Sequence, residues 1–174
     1  MCFILSCGNK ENESMNKVAT KFSVERHDPN LDQQIQPLLN QYFAVMAHLQ
    51  AQDSADLVLY GTNMIMLADS LSQKTLSTDT ATQNRAVQGL MNIQYEMSAI
   101  LMESSPTERI VGAQMLSLQW IHFLAAIGYQ KQTIYIFSDN EETQWMGLKN
   151  KSSNPFVSIG DVIYTPVQVL QELK

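Results

Sequence analysis

The chain has 174 residues, 45% of them hydrophobic, which suits one domain with a core that needs neither disulfides nor a structural metal. Against 17 acidic residues stand 11 Lys and Arg, a net charge of -6, with no basic stripe that could release counterions from a phosphate backbone. Nucleic acid is therefore excluded as the expected partner, and no apolar run in the sequence reads as a transmembrane span.

Residues 1–30 read as an address and a tether. Ile4-Leu5-Ser6-Cys7 has the form of a bacterial lipobox, with Cys7 as the lipidated residue, and Gly8 to Ser14 is a polar stretch suited to link an anchor to a folded domain. Only Met1 to Leu5 precede the box, too few for a signal peptide's charged and apolar regions. The expectation is a truncated lipoprotein signal whose precursor begins further upstream. Two acyl chains on Cys7 would hold the protein at a membrane stably, where one would not. The implied location is the cell envelope, periplasmic or outer membrane.

Residues 31–174 read as a single all-α domain, an up-and-down four-helix bundle with a short β-like or irregular appendix from about 129. Leu31, Ile35, Leu38, Tyr42, Met46 and Leu49 recur at spacings of three and four, one face of a first helix that Pro37 either kinks or opens. Ser54-Ala55-Asp56 offers a helix N-cap, followed by a face of Val58, Gly61, Met64, Ile65, Ala68 and Leu71. The polar stretch from Gln73 to Thr82 predicts the longest connection within the bundle. Ala86, Leu90, Ile93, Met97 and Leu101 give the third helix.

Ser105-Pro106-Thr107-Glu108 is the clearest local signal: Ser105 as N-cap, Pro106 in the first turn and Glu108 completing a capping box. The fourth helix then carries Val111, Ala113, Leu116, Trp120, Phe123, Leu124 and Ile127, with Gly128 at its end. Beyond it, Thr133 to Phe137 is β-branched and aromatic, Ser138-Asp139-Asn140 turns the chain, and Gln144-Trp145-Met146 returns as a strand. Val162-Ile163-Tyr164 is another extended candidate. Pro166 is expected to open a final helical turn carrying Val167, Leu170 and Leu173. So small a tail must pack on the bundle, with Trp145, Asn154, Pro155 and Phe156 as its anchors or as an interaction surface.

Catalytic motifs are missing. His27, His48 and His122 are far apart, without the i, i+4 pairing of a helix-borne zinc site, and neither a nucleophile motif nor a phosphate loop occurs. Both cysteines, Cys2 and Cys7, lie outside the folded part. Ten methionines raise a copper reading, because thioethers are soft ligands for Cu(I), and Met64, Met66 and His122 would be its ligands. Methionine is also an ordinary filler of irregular cores, and most of these positions fall on or beside the helical faces.

Several residues together resemble a family of periplasmic helical-bundle domains encoded beside, or fused to, membrane-fusion subunits of heavy-metal efflux systems. Tyr42 with Leu49 and Asp53 is similar to that family's first helix and turn, and Leu116-Ser117 to its last helix. In the tail, Asp139-Asn140, Trp145 and Asn154-Pro155-Phe156 stand at the family's spacing. The resemblance implies copper held by a Cys-x-Met pair before the Asp-Asn, a cysteine after the Asn-Pro-aromatic and a helix histidine. Those positions fall here on Ile134 and Ile136, near Thr165 and near Gly112, so the implied ligands are not retained. The expectation is a non-catalytic envelope accessory or interaction protein without a cofactor, its partner an envelope protein such as an efflux component. The alternative is a periplasmic copper chaperone or sensor.

Overall fold

The computed structural model describes residues 28–139, 143–157 and 163–170. Cys7, the tether, His27, Asn140, Val162 and Leu173 lie outside the described residues. Four helices, α1 (Pro29–Gln50), α2 (Ser54–Ser72), α3 (Thr80–Met102) and α4 (Pro106–Ile127), are followed by strands β1 (Tyr135–Ser138), β2 (Gln144–Gly147) and β3 (Gln168–Val169). The chain is a four-helix bundle with a small antiparallel sheet of order β2-β1-β3.

Local chemistry sets the helix ends. Asp28 caps α1, its Oδ1 accepting from the amides of Asn30 and Leu31 at 3.0 and 3.4 Å, and Pro29 takes the first turn, where a missing N–H costs nothing. Pro37 lies inside α1 on an exposed position, so its ring meets water rather than a neighbouring helix. The cap of α2 is Asp53, not Ser54: both residue types cap well, and the Asp53 carboxylate accepts from Ala55 and Asp56. Only half of the expected capping box forms at α4. Ser105 Oγ accepts from the Glu108 amide at 3.4 Å, but the Ser105 amide donates to Glu103 Oε1 at 2.9 Å, which leaves Glu108 no return role. Gly128 ends α4 at φ 66°, a left-handed conformation that glycine adopts without a Cβ clash. The amides of Gly128 and Tyr129 reach back to the carbonyls of Ala125 and Leu124, the paired bonds of a Schellman ending.

The core is the sum of the four inward faces. Leu31, Ile35, Leu38, Leu90, Ile93 and Leu116 are fully buried, each worth about 1.5–3 kcal/mol relative to exposure. On α2 the expected Gly61, Met64, Ala68 and Leu71 are buried, but Leu57 is inside in place of Val58, which is half exposed; Val111 on α4 is likewise outside. The connection 73–79 is the longest in the bundle and is clamped by Gln83. Its Oε1 accepts from the amides of Leu76 and Ser77 while its Nε2 donates to the Lys74 carbonyl. Against the expectation that no apolar run reads as a transmembrane span, helix α4 is long and apolar enough to cross a membrane by length and composition, though half of that stretch is buried in the bundle.

The tail closes the bundle on its α1–α4 side. Register pairs Phe137 with Trp145 and Ile136 with Met146, so each pair shares a sheet face. Trp145 stacks on Phe137 at 5.8 Å and meets Tyr164 and Phe156 edge-on, which covers one face of the sheet. Ile136 and Met146 are buried on the other face, and β2 lies beside α4. The expected final helical turn is instead β3: Gln168 and Val169 pair with Ile136 and Tyr135. Two apolar residues three apart after a proline fit either a helical turn or a strand edge, and β1's unpaired edge decides for the strand.

Candidate functional site

The candidate copper ligands Met64 and Met66 do not share a helix face. Met64 is fully buried whereas Met66, two positions on along α2, is 65% exposed, because such a step turns a helical side chain to the opposite face. His122 is exposed on α4 beside Gln88, Gln119 and Phe123. Met91, Met102 and Met115 are exposed and Met97 is buried, so these thioethers are divided between the core and outer faces. Ile134 and Ile136, at the positions of the resembling family's first ligands, are core residues; Thr165 is exposed and Gly112 packs against Ile100.

The tail residues singled out in the sequence do come together. Asn154 is 2% exposed; its Nδ2 donates to Asp139 Oδ2 at 2.8 Å and its Oδ1 accepts from the Phe156 amide at 2.9 Å. This fixes the Asn154-Pro155-Phe156 segment to the end of β1. Trp145 adds a bond from Nε1 to Ser152 Oγ at 3.2 Å. The described ring contacts and hydrogen bonds of Trp145 lie within the tail, and Pro155 and Phe156 turn toward the bundle.

There they wall a cavity of about 280 Å³ at one end of the molecule, between the end of α1, the starts of α2 and α4, and the tail. Leu49, Leu57, Ile110, Pro155, Phe156 and Val157 supply apolar surface. His48, Asp53 and Arg109 are its charged or titratable side chains. Arg109 is held by its Nε, which donates to the Glu103 carbonyl at 2.6 Å. Gln50 Nε2 donates to Ser153 Oγ at 3.4 Å, a direct tie between bundle and tail beside the cavity.

One cluster on this rim goes beyond the sequence expectation, in which His48 stands far from the other histidines with no helix-borne pairing. The turn at 51–53 reverses the chain tightly: the Asp53 amide donates to the His48 carbonyl at 2.9 Å, and Gln52 sits at φ 56°. Asp53 and Asp56 are thereby carried back over the last turn of α1. His48 Nδ1 lies 3.8 Å from Asp53 Oδ2 and 3.7 Å from Asp56 Oδ2. The imidazole stacks on Tyr60 at 5.0 Å, with the rings 13° apart. The legible signal was a histidine in a helix's last turn, a short connection, then aspartates at the next helix's cap and first turn.

Comparison with protein family models, with curated proteins and with solved structures finds no match.

Proposed function

We propose that the protein is a non-catalytic accessory or interaction protein of the bacterial cell envelope. It is held at the membrane through lipid on Cys7 and related to the periplasmic domains that accompany heavy-metal efflux. The observation that carries this reading is the cavity built jointly by bundle and tail. Its apolar patches, with Arg109 and His48 among its polar side chains, have the composition of an interface rather than of a buried core. At about 280 Å³ it is smaller than most small-molecule sites, which span about 300–1,000 Å³, and suits one or two anchoring side chains of a protein partner. Asn154 gains a role in the same reading: its two hydrogen bonds fix the wall that the partner would meet. An envelope efflux component is the partner class that the sequence resemblance favours.

The membrane-bound half of the proposal is tested by expressing the protein from its native upstream sequence in a Gram-negative host, fractionating the cells and taking the mass of the mature N-terminus. The expected result is a diacylglyceryl-modified Cys7 in the membrane fraction. An unmodified Cys7 in the soluble fraction contradicts it.

A further inference from the structure

We propose that His48, Asp53 and Asp56 form a binding site for a divalent cation of the zinc class, at the rim of the cavity. One atom of each side chain, an imidazole nitrogen and two carboxylate oxygens, falls in a set whose members all lie within 4.8 Å of one another. His48 Nδ1 faces both carboxylates at 3.7 and 3.8 Å, outside hydrogen-bond range for either. Ligands around a tetrahedral ion with bonds of about 2.0–2.2 Å stand roughly 3.4 Å apart, so an ion would draw the imidazole and each carboxylate together by a few tenths of an ångström and the two carboxylates, which lie within 4.8 Å of each other, by more.

His48 and Asp53 are oriented independently of any ion. Asp53 Oδ1 accepts from the amides of Ala55 and Asp56 at 3.2 Å each, which leaves Oδ2 toward His48. Stacking on Tyr60 sets the imidazole plane. The positive end of the α2 dipole disfavours a bare cation here, and two carboxylates within one small set are the charge needed to hold one.

The donor set selects the ion. An imidazole nitrogen is a poor ligand for calcium or magnesium, which prefer oxygen alone, and two carboxylates are poor ligands for Cu(I), which prefers sulfur. Zinc accepts mixed nitrogen and oxygen ligands and is complete at four. With three protein ligands the fourth position goes to water or to an incoming donor, and His48 and Asp53 both border the cavity, so that donor can come from its side. The site uses none of the methionines and does not depend on the docking reading.

The test is zinc binding by the full chain carrying Cys2→Ser and Cys7→Ser, so that thiolates do not compete, measured against a chromogenic zinc chelator near neutral pH. One zinc per chain is expected. His48→Gln and Asp56→Asn should each weaken binding by at least about tenfold, the scale on which even outer partners of metal ligands act. Asp53→Asn should do the same while preserving the cap of α2, since asparagine caps as well as aspartate. The combined His27→Ala and His122→Ala variant should bind as the parent does. Cobalt(II) in place of zinc should give the visible bands of a four-coordinate nitrogen and oxygen site, lost in His48→Gln. Absence of stoichiometric zinc, or equal binding by parent, His48→Gln and Asp56→Asn, overturns the proposal, as does loss of binding in the His27 and His122 variant. Circular dichroism of each variant separates lost ligation from lost folding.

Discussion

The Tyr42 hydroxyl lies 2.7 Å from Ser117 Oγ, a buried bond that ties α1 to α4 where the tail sheet closes over them. The Tyr42 ring packs on Trp120 at 5.7 Å. Burial pushes the Tyr42 phenol up to about 12, against the partial relief of its bonds to Ser117 and to the Met146 backbone. One hydroxyl thus joins two helices and β2.

This relation predicts an alkaline signature. Because the raised value belongs to the folded state, the folded protein keeps a proton that the unfolded chain gives up. The contribution is intact below pH 10 and is lost as pH climbs from 10 to about 12. The loss amounts to about 2–3 kcal/mol. Tyr129, raised to about 12 by burial and by the nearby Asp32 carboxylate, acts in the same direction. Chemical denaturation across this range should show a shallower decline for Tyr42→Phe than for the parent; parallel declines would contradict the assignment.

Asp32 is buried in the first turn of α1, and its Oδ2 accepts from the Gln130 amide at 2.9 Å. Next to it the Tyr129 hydroxyl donates to Gln36 Oε1, so the crossover from α4 to β1 is fastened to α1 twice. Asp32→Ala leaves the Gln130 amide without this acceptor and should cost about 1–3 kcal/mol in urea unfolding. A change below a few tenths would show that the crossover is held otherwise.

Two helix glycines should respond differently to alanine. A Cβ on Gly89 would stand 2.2 Å from Phe123 Cδ2, a ring atom in the core, whereas on Gly61 it would meet the terminal methyl of Met97 at 2.8 Å. Gly89→Ala should lose about 1–3 kcal/mol through overpacking. Gly61→Ala should be near neutral, because the side-chain ends of Met97 and of Leu101, whose Cδ2 would lie at 3.0 Å, can yield and alanine is favoured in a helix by about 1 kcal/mol. Thermal melts of the pair check both.

Trp145→Ala removes the ring on which Phe137, Phe156 and Tyr164 converge and should cost about 3–5 kcal/mol. Hydrogen exchange should show β1 and β2 losing protection before the helices. Retained protection in the strands would mean that the sheet is held by its bundle-facing side alone.

Much of this fold was legible because it rests on local or periodic signals. Ser105 with Pro106 and Gly128 after α4 are each decided within one turn of chain, and the stripe of α3 by its own period. What escaped was decided by distant partners. Glu103 displaced Glu108 from the capping box, β1 drew Gln168 and Val169 into a strand, and the reversal at Gln52 brought Asp53 and Asp56 to His48. The cavity needed three separated stretches to meet, so the sequence showed Pro155 and Phe156 as anchors without showing what they faced.

The docking reading is tested most directly by a photo-activated cross-linker placed in the envelope-expressed protein at Gln52 and at Val157, on the cavity's lining, and at Met66, exposed on the outer face of α2. The account predicts one discrete adduct with the same envelope protein from Gln52 and Val157 and none from Met66. No adduct from the cavity positions, or the same adducts from all three, would contradict it.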